Sequence, residues 1–314
     1  MATESNKDVF LDGFRKLLKE QWQADVRLKA GDSDERTGAI SAHKLVLVAR
    51  SKVFKNILET DGCKASANLE TVTLSEMKHE ELEALVDFMY SPDGSISFES
   101  LKKHDRRFGL QMAKQSNKED FLGGIRKLFR EQWQADVLLK GGDSDELAAI
   151  SAHKLVLAGR SMVFKKMMES DEFKASSKLE TVTLSEMKHE EVEALVEFMY
   201  SIDGSISSDS LKKHVRSLYL AADKYEIPHL RDLCRSELIS SLKPSNALDI
   251  LELAQIPFDQ ALHSSAFTTI KANISTIASS AEFKLFVVNH PNLTVEIIKA
   301  SLTPPPKSII NADA

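Results

Sequence analysis

Gly159-Arg160-Ser161-Met162-Val163 starts in the manner of a nucleophile elbow, the tight strand-to-helix turn that exposes a serine for attack. It lacks the motif's second glycine, and the matching stretch earlier in the chain has Ala49 in place of Gly159. Asp32-Ser33-Asp34-Glu35 opens like a calcium loop. However, Thr37 holds the sixth position instead of glycine, and His43 the twelfth instead of glutamate. Its second occurrence fails likewise, with Ala148 in sixth place, so a solvated hairpin tip is the better reading. Lys102-Lys103-His104-Asp105-Arg106-Arg107 is a short basic run. No aromatics interleave with it and Asp105 interrupts it, which favours a solvated helix face over nucleic-acid contact or nuclear import. His43 and His153 hold matching places after short strands, but no nucleophile motif stands beside either. The nine histidines include no close metal-ligand pair. Gly123-Gly124 lies in a helical stripe and Gly141-Gly142 begins a hairpin, so neither is a phosphate loop.

Any such group needs a folded frame, and the composition provides for one. Of 314 residues, 42% are hydrophobic and 28% charged, enough apolar material for a core of two or three domains. The net charge of -6 argues against holding nucleic acid through its phosphates, and no basic amphipathic face suits an anionic membrane. Cys63 and Cys234 are the two cysteines, which excludes a disulfide framework and a four-cysteine zinc site. The polar N-terminus has no apolar signal core, and no apolar run approaches the ~20 residues of a membrane span. A reducing compartment is expected, cytoplasmic, nuclear or both.

The frame is duplicated. TVTLSEMKHE occurs at 71–80 and again at 181–190. The match runs from Asn6 to about His104 and from Asn117 to His214, with about three quarters of positions identical from Ser41 to Asp105. Trp22 and Trp133, the two tryptophans, are equivalent. A period this long marks a repeated globular domain, not a solenoid. In each copy an amphipathic helix (Phe10, Phe14, Leu17, Leu18; Phe121, Ile125, Leu128, Phe129) precedes an alternating strand, a hairpin loop and a short second strand. A helix from His43 to Leu58 follows, with Val53, Phe54, Ile57 and Leu58 inward. A third strand from Thr71 and a helix carrying Leu82, Leu85, Val86 and Met89 complete the unit. Each copy is therefore α+β. Copy two continues into helices bearing Leu218, Ala221, Ala222 and Tyr225, then Leu230, Leu233, Cys234 and Leu238. Copy one weakens at the first of these and lacks the second. After Pro244 come helical patterns: Leu248, Leu251 and Ala254; Leu262, Phe267, Ile270 and Ile274; and Val295, Ile298 and Leu302. Pro304-Pro305-Pro306 and a loose tail end the chain.

The motifs Ala135-Asp136-Val137-Leu138-Leu139, Ser151-Ala152-His153-Lys154-Leu155-Val156-Leu157, Arg160-Ser161 and Val163-Phe164 together resemble the opening of a BTB/POZ domain. Glu193 to Tyr200, Leu220 to Tyr225 and Leu230 to Cys234 resemble its later helices. Copy one carries all but the last: Asp25-Val26, His43-Lys44, Arg50-Ser51, Val53-Phe54 and Phe88-Met89-Tyr90. The resemblance covers roughly residues 8–240 and is greatest to short plant BTB/POZ proteins. The division that follows is a first BTB/POZ domain over 1–115, truncated at its C-terminal helices, a complete second one over 116–242, and a helical region with a disordered tail over 243–314.

The resemblance implies a non-enzymatic protein-interaction adaptor, with neither cofactor nor metal. It implies recruitment of an unidentified substrate protein to a cullin-three ubiquitin ligase, for ubiquitination and degradation. The implied cullin surface comprises Met168, Phe173, Lys174, Tyr225 and Leu233. The family's hydrophobic-x-Glu motif reads Phe173-Lys174-Ala175 here and Cys63-Lys64-Ala65 in copy one, without the glutamate. The alternative is a self-associating scaffold or transcriptional co-regulator that binds no cullin. The implied self-association helices carry Phe10, Phe14, Leu17, Phe121, Ile125 and Leu128, and pair either within one chain or between chains. Finally, the family fold places His43 near Asp25 and His153 near Asp136. A carboxylate-oriented imidazole is a catalytic device elsewhere, but mutually satisfied structural His-Asp pairs are the expectation here.

Overall fold

The computed structural model describes residues 6–33, 38–60, 70–91, 118–144, 148–170, 179–201 and 203–302. They form two compact units. One holds residues 1–208 and 224–229, the other 209–223 and 230–314.

In the first unit, copy one begins with helix α1 (Asn6–Lys19), strands β1 (Val26–Ala30) and β2 (Ile40–Ala42), and helices α2 (Lys44–Arg50) and α3 (Lys52–Thr60). Strand β3 (Glu70–Leu74) and helix α4 (His79–Met89) follow. Copy two repeats the order: α5 (Lys118–Arg130), β4 (Val137–Gly141), β5 (Ile150–Ala152), α6 (Lys154–Arg160), α7 (Met162–Met168), β6 (Glu180–Leu184) and α8 (His189–Met199). Each sheet has three strands in the order β2-β1-β3 or β5-β4-β6. The hairpin pair is antiparallel, with Val26 opposite Ala42. The outer pair is parallel, with Val26 opposite Glu70. The period-two pattern is realised directly: Val26, Leu28 and Ala30 are buried and Arg27 is exposed.

The helix read from His43 to Leu58 is two helices. Ser51 is extended (φ -141°, ψ 117°) and resets the helical phase. Phe54 and Leu58 therefore point inward, while Val53, expected inside, is 64% exposed.

Among the described residues, the second unit's regular elements are all helices. The unit contains most of α9 (Ser208–Lys224), then α10 (Pro228–Ser240), α11 (Ala247–Leu253), α12 (Gln260–Ala272), the single turn α13 (Ile274–Ile277), α14 (Ala281–Asn289) and α15 (Pro291–Leu302). The closing helices of copy two thus cluster with the C-terminal region, not with the sheet of copy two. Tyr219 and Arg235 both bond Asp259, at 2.8 and 2.6 Å, joining α9 and α10 to the cap of α12. The end of copy one, expected from sequence to be truncated, and the tail after Leu302 lie outside the described residues.

Candidate functional site

The two copies meet reciprocally. Helix α1 of copy one packs on α6 of copy two, and α5 of copy two packs on α2 of copy one. The stripe residues Phe10, Phe14, Leu17, Ile125 and Leu128 are all buried, each worth roughly 1.5–3 kcal/mol of transfer free energy. The Phe121 side chain lies outside the described residues. Two glycines set the approach. A Cβ on Gly13 would lie 2.8 Å from the Gly159 carbonyl carbon and nearer still to its oxygen; one on Gly124 would meet the Ala49 carbonyl in the same way. Polar contacts repeat with the same two-fold logic. Trp22 Nε1 donates to Glu169 Oε1 at 2.7 Å, and Trp133 Nε1 to Glu59 Oε1 at 3.2 Å. Lys165 pairs with Glu20 at 2.7 Å, and Lys55 with Glu131 at 2.9 Å; these hydrogen bonds lower the pKa of both glutamates. The Arg160 guanidinium lies 4.2 Å from the Phe10 ring centroid, a cation-π contact across the copies. Burial holds its pKa down at about 9.

The expected His-Asp pairs are absent, because both ring nitrogens are taken elsewhere. His43 Nε2 lies 2.7 Å from the Trp22 carbonyl and Nδ1 2.6 Å from the Tyr90 hydroxyl; His153 repeats this with the Trp133 carbonyl and Tyr200. A carbonyl only accepts, so Nε2 carries the proton and Nδ1 accepts from the tyrosine. Each tyrosine oxygen also accepts its histidine's backbone N–H. Asp25 and Asp136 instead accept the backbone N–H of Lys44 and Lys154, both at 2.7 Å. They thereby satisfy a free amide at the N-termini of α2 and α6, where negative charge is favoured. Burial holds both imidazoles below their usual pKa, hence neutral.

Trp22, Asp25, His43, Trp133, Asp136 and His153 share a cavity of about 40 Å³, room for one or two waters. Protein crowding raises both carboxyls, Asp136 to about 6. Both residues are nonetheless exposed as a whole, so the burial of their carboxyls is not full desolvation. The partners Tyr90 and Tyr200 escaped the sequence reading. Their signal was there: each follows its histidine at the same interval of 47 residues.

Ser161 Oγ accepts from Phe164 N at 3.1 Å, capping α7, and donates to the Tyr225 carbonyl at 2.5 Å. It is committed to structure and is not an exposed nucleophile. Asp32 and Asp143 accept the backbone N–H of His79 and His189, capping α4 and α8. Met168 and Tyr225, expected at the cullin surface, are 1% and 2% exposed and so offer no side chain to a partner. Tyr225 stacks on Phe164 with centroids 4.7 Å apart and donates to Glu186 Oε1 at 2.6 Å. Leu233 is half-buried. Phe173, Lys174 and the basic run at 102–107 lie outside the described residues. Among the described residues no cluster of three or more metal-ligating side chains occurs, and no helix is long and apolar enough to cross a membrane.

A duplicated three-stranded α+β unit, paired through its first helix, is the arrangement the sequence motifs implied. Comparison with known families gives a match to the BTB/POZ domain over residues 14–121 and again over 125–242. The chain belongs to the BTB/POZ domain family. It is 76% identical over 193 residues to a putative BTB/POZ domain-containing protein of Arabidopsis thaliana, covering 61% of this chain and 92% of that one. A second such Arabidopsis protein is 66% identical over 192 residues, covering 61% of this chain and 85% of the relative. A third is 72% identical over 157 residues, covering 50% and 94%. These relatives are shorter than this chain. BTB/POZ domains mediate protein-protein interaction and self-association. The reciprocal packing of α1 and α5 is a self-association of two BTB/POZ copies inside one chain.

Proposed function

We propose that this chain is a non-enzymatic adaptor that brings a substrate protein to a cullin-three ubiquitin ligase in the cytoplasm or nucleus. The observation that supports the reading is the match of copy two to the BTB/POZ domain over residues 125–242, together with the helices α9 and α10 that follow its sheet. By resemblance to the family, the contact residues would be Phe173, Lys174 and Leu233. Isothermal titration of the full chain against the purified N-terminal region of cullin-three tests this. Binding is expected, and Phe173→Asp weakens it tenfold or more, because a charge is then desolvated in an apolar contact at ~2 kcal/mol or more. No measurable binding, or binding indifferent to Phe173→Asp, refutes the reading. One observation favours a second reading, a scaffold or co-regulator without cullin: alanine stands at 65 and 175, where the family motif has glutamate.

A further inference from the structure

The stripe Val295, Ile298 and Leu302, whose spacing marks the last helix, lies on its outward face. These residues are 48%, 48% and 78% exposed, whereas Thr294 and Ile297 are buried. The preceding helix behaves alike. In α14 only Phe286 is buried, while Leu285, Val287 and Val288 are 66%, 39% and 77% exposed. Helices α14 and α15 are joined through the single residue His290 and pack on one another. Their inner sides rest on α11 and α12. A helix apolar on both sides is ordinarily covered on both sides. Summed over the six residues this exposed surface is roughly 600 Å², spread over two packed helices.

We propose that α14 and α15 form the contact between two copies of this chain. Three observations select a second copy as the occupant. The spacing 295, 298, 302 is the three-then-four repeat of a helix seam, and such a seam packs against its own kind about a two-fold axis. The charged residues on these helices are Glu282, Lys284, Glu296 and Lys299; two of each sign make the face neutral, so it meets its duplicate without net repulsion. With a polar rim added, the area approaches the ~800 Å² per partner of a standard interface. The first helices, which would otherwise serve self-association, are already buried between the two copies within the chain.

Light scattering coupled to size exclusion on the full chain at tens of micromolar is the test. The expected mass is twice 35.0 kDa, falling to the single-chain mass in Val288→Glu/Ile298→Glu. A milder pair, Leu285→Ser/Val295→Ser, is expected to raise the dissociation constant at least tenfold in sedimentation runs. All four positions are solvent-exposed, and an unchanged circular-dichroism melt of the monomeric species verifies folding. A wild-type mass of 35 kDa overturns the proposal, whatever else covers the face. So does a dimer indifferent to both pairs, or a mass that grows with concentration beyond two chains.

Discussion

Gly123 and Gly124 are neighbours on one helix with opposite surroundings, and this makes them a paired test of whether the copies meet as described. Both lie inside α5, where glycine is about 1 kcal/mol worse than alanine. A Cβ on Gly123 meets nothing within 4 Å, so Gly123→Ala is expected to stabilise the chain by up to about 1 kcal/mol. A Cβ on Gly124 would lie 2.8 Å from the carbonyl carbon of Ala49 and overlap its oxygen. The obstacle is backbone, so no rotamer change relieves it, and α5 must lift from α2. Overpacking of this kind costs about 1–3 kcal/mol. Lifting also loosens Ile125 and Leu128, each worth roughly 1.5–3 kcal/mol when fully buried. The net loss expected for Gly124→Ala is about 2 kcal/mol, opposite in sign to its neighbour. With a urea slope of about 2 kcal/mol/M, the midpoint falls by about 1 M. The assay is urea unfolding followed by tryptophan fluorescence, because Trp22 and Trp133 each bond a glutamate of the other copy. If Gly124→Ala raised the midpoint as Gly123→Ala does, the copies would not be packed through α5 and α2, and the reasoning fails.

Two further perturbations probe the core where the copies meet. Tyr200→Phe leaves His153 Nδ1 and its backbone N–H without the hydroxyl that serves both. A loss of about 1–3 kcal/mol is expected in the same urea assay, and an unchanged midpoint would contradict the hydrogen-bond assignment. Asp136 has a folded-state pKa above its ordinary value. Its contribution to stability is therefore complete below about pH 4 and is lost as pH rises through about 6. Asp136→Asn keeps an oxygen for the Lys154 N–H and removes the titration. Because burial of the carboxyl is not full desolvation, the gain expected at pH 7.5 is at most about 1 kcal/mol, vanishing at pH 4. His153, held neutral by burial, acts in the opposite direction in both proteins and cancels in the difference. A stability difference independent of pH would show that Asp136 is not perturbed in the fold.

Where a periodic pattern faced one packed layer, the sequence was legible. The strand alternation of Val26 and Leu28, the α1 stripe and the Leu82–Met89 stripe all sit as their spacing implies. It failed where one residue changes helical phase, as at Ser51, and the error fell on Val53. It was silent over α14, and at α15 the spacing of Val295, Ile298 and Leu302 marked a helix without saying which side faces inward. The His-Asp reading failed for another reason. Proximity in a fold does not assign hydrogen bonds, and two groups saturated by a tyrosine, a carbonyl and a helix amide have none left for each other.

The two copies differ in a way that follows from the pairing. The polar residues of the reciprocal contact, and the glycine on each first helix, are present twice: Gly13 and Gly124, Glu20 and Glu131, Lys55 and Lys165, Glu59 and Glu169, Trp22 and Trp133; Phe14 and Gly159 are answered by Ile125 and Ala49. A two-fold contact fails if either half is altered, so both copies must keep the same set. The closing segment is under no such constraint. In copy two Tyr225 joins Ser161, Phe164 and Glu186. Copy one retains Ser51, Phe54 and Glu76 but has Gln115 where Tyr225 would stand, and a glutamine has no ring to stack on Phe54. On the adaptor reading proposed above, the closing segment of copy two would serve alone while copy one supplies the pairing half. Partner recognition by this chain is therefore expected to be one-sided, with one scaffold bound per chain. The stoichiometry of the cullin titration reads this directly. A value of two per chain would show that copy one binds as well, and would remove the asymmetry as an explanation.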